Sequence, residues 1–423
     1  DVCSSDLNPF WQAEDILFIG VHRVNNKKMI YILYFITLFM VYAFLTHRKQ
    51  ALIVAIIITF LFIALSYPAG GDWIGYFINY DCKVNDVCQP GFVLFEPGYE
   101  FIVSIVGLLG YQSIIIFIAI INMTLVYHFA KDFDRGCYIV IAIMSMFLWS
   151  VYIEAIRQAI AMSIIMFSIH SLICKNMKRF VILVTIASTF HITAIIGFLF
   201  LIPIYFRAFT KVISYGFLIS GLFFFLFSTD ILSLALMVLP TDSIASQKLN
   251  FYLNSDQYRP ILSIGTGTVL DILMLMIISV SFYRIKKNAL SKHQHLNNIM
   301  LLGSCLYVTF AIFIGKMMPV MTRIGWYGMP FVLILIYVNI GESFYYKKHT
   351  RLMKSNFTKY YIYAYFVLQI ARPFSYDYSN YNILHQQTII ENIDALDDSS
   401  LREAAKEKCL ILTNMGYDYL CSI

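Results

Sequence analysis

From Met29 onward this chain is dominated by long apolar runs separated by short polar loops. That pattern admits few folds. Inside hydrocarbon no water reaches the backbone, so a crossing segment must satisfy its own N–H and C=O groups, which a helix does. A composition of 59% hydrophobic and 13% charged residues rules out an ordinary soluble surface. With 423 residues the chain has room for about a dozen crossings of roughly 30 Å of hydrocarbon and no separate soluble domain. The expected fold class is an all-α polytopic transmembrane bundle of about 12 spans. An aromatic share of 17% suits lipid-facing surfaces and interfacial belts. The net charge of +6 is carried in short loops, so it reports topology and gives no sign of a nucleic-acid partner.

Topology follows from the bias of Lys and Arg toward the cytoplasmic side. The basic loops are His47 to Gln50, Lys131 to Arg135, Lys175 to Arg179, Arg207 to Lys211, Tyr283 to His295 and Tyr345 to Lys354. All six are cytoplasmic together under one pairing of spans, which makes 68–111 and 229–260 large outer loops. Residues 29–372 then form the membrane domain and 373–423 an extracytoplasmic tail. Phe101 to Gly110 would break the parity if it crossed, so a helix lying in the outer interface is expected there. Two basic loops flank 178–206, which is too short for two full spans. Two shortened helices meeting near His191 satisfy the charges, and such breaks are tolerated where they line a cavity. Residues 1–28 are polar and turn-rich, unlike the rest of the chain, and the expectation is an extraneous or disordered arm.

Cysteine placement agrees with this map. Cys82 and Cys88 share the first outer loop and Cys409 and Cys421 the outer tail, while Cys137, Cys174 and Cys305 stand alone. Near pairs fit an oxidising compartment. No Cys or His spacing suggests a metal site.

Ionisable residues gather at the outer ends of the spans: Asp72, Glu96, Glu100, Arg157, His191, Arg259 and Arg323. Charge near hydrocarbon is costly unless paired or hydrated, so this rim is the candidate site. Pro68, Gly70 and Gly71 stop a helix and leave Asp72 at the surface, where a partly desolvated carboxylate can take a proton from a sugar hydroxyl. The plainer reading of Asp72 is a helix cap. Glu96 and Glu100 suit capping or charge pairing better than catalysis. Glu154 and Arg157, three residues apart, suit an ion pair on one helical face, yet a guanidinium at this boundary is also shaped to clamp a diphosphate. His191 is either a satisfied core histidine or a cavity-lining one. Arg157, Arg259, Lys316 and Arg323 all lie against the positive-inside bias, which points to an anionic ligand, either lipid headgroups or a lipid diphosphate.

The ordered motifs Gly71-Asp72-Trp73-Ile74-Gly75-Tyr76, Phe95-Glu96-Pro97-Gly98-Tyr99, Arg157-Gln158-Ala159-Ile160-Ala161, Ala187-Ser188-Thr189-Phe190-His191, Arg323-Ile324-Gly325-Trp326-Tyr327 and Tyr378-Ser379-Asn380-Tyr381-Asn382 resemble those of the EpsG-like family of exopolysaccharide and O-antigen polymerases. The resemblance runs from Met29 to about Leu384. It implies a multi-pass protein of the bacterial inner membrane with an extracytoplasmic active face, similar in fold to the C-type glycosyltransferases (GT-C). It also implies a polyprenyl-diphosphate-linked oligosaccharide as donor, with a flippase and a chain-length regulator as partners. By this resemblance Asp72 is the base, Arg157 and Arg323 contact the diphosphate, and His191 lines the pocket. The catalytic candidates are thus Asp72 and His191; the substrate contacts are Arg157, Arg323, Arg259, Glu96, Gln158 and Tyr76. The acidic tail beyond Leu384 departs from the family pattern.

The expected function is transfer of an oligosaccharide from a polyprenyl diphosphate to another lipid-linked repeat unit, retaining or inverting. It needs no nucleotide sugar, in keeping with the lack of a Gly-rich phosphate loop. No cofactor is expected; Asp72 and Glu96 could hold a divalent cation, but no spacing demands one. The alternative is a secondary transporter of an anionic or sugar-phosphate substrate, which would usually show an internal repeat and midplane charges. A membrane acyltransferase would want a His/Asp pair that the sequence does not offer near His170 or His191, and a scaffold would leave the polar rim without a purpose.

Overall fold

The computed structural model describes residues 29–45, 47–88, 94–240, 265–287, 294–339 and 356–416, with isolated positions between 243 and 253. The N-terminal arm 1–28, Arg259, and most of the basic loops at 283–295 and 345–354 lie outside the described residues. Within them the chain is all-α apart from one isolated antiparallel bridge, Ser66 to Thr388.

The first half runs α1 (Ile30–Phe44), α2 (Arg48–Ala64), α3 (Trp73–Asn85), α4 (Pro97–Val106), α5 (Tyr111–Ala130), α6 (Gly136–Phe147), α7 (Ile156–Ile173) and α8 (Met177–Phe190). The second runs α9 (Thr210–Val238), α10 (Thr266–Lys287), α11 (Gln294–Tyr307), α12 (Met329–Asn339), α13 (Asn356–Ala371), α14 (Asp377–Leu384) and α15 (Asp398–Asn414). Six stretches among the described residues are long and apolar enough to cross a membrane: Tyr111–Ala130, Gly136–Ile153, Ile156–Ile173, Thr210–Val238, Leu296–Met317 and Pro319–Tyr337. The expectation was about twelve. The 15 residues of α1, 17 of α2 and 16 of α13 reach less far than a full crossing, because a helix rises only about 1.5 Å per residue against roughly 30 Å of hydrocarbon.

Burial separates the spans. The span 136–153 has 89% of its residues buried and 156–173 has 78%, whereas 210–238 has 17%. The first two therefore form the centre and α9 the apolar periphery. Around the centre, α7 packs on α5 and α8, and α2 on α5 and α6; in the second half α12 packs on α10 and α11, and α13 reaches back to α6.

Two π-helical turns interrupt this bundle, Leu148–Ile153 after α6 and Val308–Ile314 after α11. An extra residue in a turn rotates everything downstream, and such turns commonly sit where a side chain must be re-aimed. The break expected near His191 is present: α8 ends at Phe190, His191 is extended (φ −154°, ψ 118°), and a 3₁₀ segment Ile192–Leu201 comes next. Phe101 to Leu109 is helical, in α4 and a short 3₁₀ turn.

Cys82 and Cys88 are joined in a disulfide, Cys409 is also disulfide-bonded, and Cys137, Cys174 and Cys305 are thiols. The tail, which sequence left without a role, docks on the body. Tyr67 N–H donates to Gln387 O at 3.0 Å and Ile389 N–H to Leu65 O at 2.9 Å. Arg402 grips Asp81 with two hydrogen bonds of 2.8 and 2.7 Å. Tyr80 and Asn85 donate to Asp398 at 3.1 and 2.9 Å. These contacts fall on the chain just before Asp72 and on the helix just after it.

Candidate functional site

Asp72 stands at the N-cap position just before α3, yet its side chain caps no backbone N–H. Its Oδ2 lies 3.6 Å from Arg323 Nη2, with the two side chains 27% and 37% exposed, so the pair is half-buried with some access to water. The plain capping role is therefore not the one it plays. Gly70 makes this loop possible: its φ is +80°, and a Cβ there would sit 2.7 Å from Glu154 Cγ.

Arg157 opens α7 and pairs with Glu96 through Nη1 and Oε2. Its guanidinium lies 3.9 Å from the ring centre of Phe95 and 5.7 Å from that of Tyr76, stacking that holds the planar head in place. Glu96 Oε1 accepts from the Ile192 N–H at 3.3 Å, satisfying a donor near the start of the segment after the break at His191. Gly98 lets this happen, since a Cβ there would meet Thr189 Oγ1 at 2.7 Å. The next residue, Gln158, donates to the Arg323 carbonyl at 2.7 Å and so ties α7 to the turn that carries Arg323. His191 Nδ1 is 2.6 Å from Thr193 Oγ1, which is 3.2 Å from the Tyr327 hydroxyl.

The ion pair anticipated between Glu154 and Arg157 does not form. Ala155 leaves the helical region (φ −97°, ψ 59°) and α7 begins only at Ile156, so the two residues do not share a helical face and the three-residue rule does not apply. Glu154 instead accepts from Trp149 Nε1 at 3.0 Å. Asp72 and Glu96, the pair that could have held a divalent cation, each face a guanidinium instead. Glu100 is structural: it accepts from Asn79 and from the Phe95 N–H, both at 2.8 Å. Lys316 turns away from this cluster toward Asp271.

Desolvation pushes the Asp72 carboxyl above its ordinary range, with the charges of Arg323 and Arg157 pulling it back. Burial raises Glu154 further, to about 8, and the neighbouring charge of Asp72 adds to the effect, against the Trp149 hydrogen bond and the charges of Arg323 and Lys408. Lys408 belongs to α15. Burial lowers its amine to about 8 while Glu154 pulls the other way, and the amine donates to Asn382 Oδ1 and lies 5.3 Å from the ring centre of Tyr381. Sequence reasoning missed Lys408, because no local pattern shows that the tail folds back.

Beneath the Asp72 loop lies an apolar cavity bounded by Pro68, Ala69, Trp73, Tyr76, Tyr152 and Ile156. The buried indole N–H of Trp73 has no partner there. The site thus combines a half-buried carboxylate, two guanidiniums and an adjoining apolar recess.

Fold and site together define a polytopic helical membrane protein with a cluster of charged residues at one end of its central spans. The chain belongs to the EpsG family, whose sequence model matches residues 49–383; the match leaves out the N-terminal arm and most of the docked tail. No curated protein and no solved structure matches it significantly. Family membership places the protein in exopolysaccharide biosynthesis.

Proposed function

We propose that this protein polymerises a surface or secreted polysaccharide at the extracytoplasmic face of a bacterial inner membrane. The substrate is a polyprenyl-diphosphate-linked oligosaccharide, and the acceptor is a hydroxyl of a second lipid-linked repeat unit. The observation that carries this reading is the convergence of Asp72, Arg157 and Arg323, from three distant segments, on one rim.

In the reaction the acceptor oxygen forms a bond to the anomeric carbon of the donor while the bond from that carbon to the diphosphate oxygen breaks. Asp72 accepts the hydroxyl proton, and its desolvation makes it a stronger base than an exposed carboxylate. The leaving polyprenyl diphosphate carries off the electron pair, and Arg157 and Arg323 neutralise the growing negative charge. Stacking on Phe95 and Tyr76 and the contact with Glu96 keep the Arg157 head oriented before substrate arrives, which reduces reorganisation during the reaction. His191 lies at the same end, with the buried Gln158 and Tyr327 behind it, and a small apolar recess adjoins the Asp72 loop.

The test is to reconstitute the protein with synthetic polyprenyl-diphosphate oligosaccharide and look for a ladder of longer products. A ladder that disappears in Asp72→Asn supports the reading. A folded protein that elongates nothing but moves the substrate across the bilayer would replace it with a transporter.

A further inference from the structure

A second charged cluster lies at the ends of other helices, separate from Asp72 and Arg157. Lys316, in the one-turn helix Gly315–Met317, donates to Thr268 Oγ1 at 2.5 Å and sits 3.9 Å from Asp271 Oδ2. Both charged side chains are largely enclosed, at 16% and 19% exposed. Arg372 follows the end of α13 and bonds to Tyr376. Its guanidinium lies against the first turn of α10: a Cβ on Gly267 would fall 3.4 Å from Arg372 Nη2 and 2.9 Å from the Tyr376 hydroxyl.

We propose that Lys316, Arg372 and Thr268 form a second phosphate-binding site, which holds the diphosphate of a second lipid-linked substrate while Arg157 and Arg323 hold the first. Two cations here face one carboxylate, so the cluster keeps a net positive charge. The single pair to Asp271 is at the long limit of an ion pair and does not consume the three donors of an ammonium group. Thr268 and Gly267 belong to the first turn of the 22-residue α10, and a helix N-terminus favours a phosphate. An outer rim is also where Lys and Arg are normally scarce. The two sites are mechanically linked, because the single segment Gly315–Gly325 carries Lys316 to one and Arg323 to the other.

The phosphate chemistry stands on the cluster alone; its assignment to a second substrate rests on the polymerase reading. A polymerase must hold two lipid diphosphates at once, and separate cationic sites keep two like charges from meeting.

The experiment counts ligands without requiring turnover. The full chain is placed in phosphatidylcholine nanodiscs, titrated with sugar-free polyprenyl diphosphate, and examined by native mass spectrometry. The expected stoichiometry is two lipids for the wild type, one for Lys316→Gln/Arg372→Gln and one for Arg157→Gln/Arg323→Gln. Asp271→Asn, which removes only the competing anion, should tighten the second site several-fold, a gain that misfolding cannot mimic. A single lipid on the wild type, or a second one indifferent to Lys316→Gln/Arg372→Gln, overturns the proposal. Displacement of the second lipid by equimolar phosphatidylglycerol shows a headgroup site and overturns the substrate assignment. Two lipids on a protein that never elongates would defeat the polymerase reading and leave both phosphate sites standing.

Discussion

The helix α7 carries charge at both ends, and the two ends treat it differently. In its last turn His170 lies 3.2 Å from Asp132, and nearby Lys131 lies 2.8 Å from His128. Arg135 donates to the Tyr42 hydroxyl at 3.1 Å, and Asn176 caps the Arg179 N–H at 3.2 Å. Two of these contacts are local, Lys131 with His128 and Asn176 with the Arg179 N–H, and the Arg135 guanidinium, which reaches across the chain, meets the neutral Tyr42 hydroxyl, as suits basic loops that fix topology. In its first turn, by contrast, Arg157 reaches Glu96, and Gln158 ties in the turn that brings Arg323 to Asp72. Bringing distant segments together costs chain entropy, and desolvating their charges costs more. The first-turn end gathers two carboxylate–guanidinium pairs from distant segments, and a fold that accepts both costs there has a use for that end.

The sharpest way to break this contrast is to neutralise one carboxylate at each end. Asp72→Asn should lower elongation by about a hundredfold to ten-thousandfold, the range lost with a general base. Asp132→Asn should leave elongation within about threefold, since its partner His170 is 43% exposed and the pair lies at the opposite end of α7 from the site. Both variants should migrate normally in size exclusion. Equal losses from the two would mean that the difference between the ends is not functional.

Next in size are the guanidiniums. Arg157→Lys keeps the charge but not the flat, forked head that stacks on Phe95, so a loss of about tenfold to a hundredfold in kcat is expected, of the order of removing one oriented donor to the leaving group. Arg179→Lys, whose guanidinium also lies over a ring, Phe167 at 5.1 Å, should be close to silent. Steady-state kinetics on the two lysine variants separates stacking that serves substrate from stacking that serves packing.

Glu154 gives a smaller effect with a defined pH. Its folded value of about 8 lies above its ordinary 4.5 because burial penalises the charged form. The sign is set by linkage: a carboxyl raised on folding contributes stability fully below about 4.5, and that contribution is lost as pH rises through about 8. Thermal stability should therefore decline across that window, and elongation should fall on the alkaline side as a second negative charge appears beside Asp72. Glu154→Gln, a mimic of the protonated form, should flatten both profiles. An unchanged alkaline limb in the variant would assign it to another group.

Much of this was legible before any coordinates. The class, the break at His191, the Cys82 to Cys88 bridge and the rim positions of Asp72, Arg157 and Arg323 follow from apolar run length, helix-breaking residues and charge placement, which are local properties. The π-helical turns at Leu148–Ile153 and Val308–Ile314 were not legible, because an extra residue in a turn leaves no mark on hydropathy. They matter here, since the first delivers Glu154 away from Arg157 and the second leads into the turn that divides Lys316 from Arg323. The pairing of Arg402 with Asp81 and the approach of Lys408 to Glu154 were hidden for a different reason: they join the tail to segments far away in the chain, and polar contacts of that kind have no periodicity.

The tail supplies the smallest test and bears on whether the rim needs it. Burial pushes the Asp81 carboxyl upward, but the hydrogen bonds from Arg402 and Asn85 and the Arg402 charge outweigh it and hold the group below its usual range. Arg402 is itself 40% exposed, so solvent screens much of the pair. Arg402→Ala should lower the melting temperature by only a few degrees at neutral pH, and the difference from wild type should vanish as pH falls through the depressed value of Asp81, where the carboxylate is protonated in both. If elongation falls with the small loss of stability, docking of the tail positions the Asp72 loop, which Gln387 and Ile389 hold through Tyr67 and Leu65 on one side and α15 holds through α3 on the other. If stability falls and elongation does not, the rim is complete without the tail, and the cluster built by residues 49–383 is sufficient for the reaction.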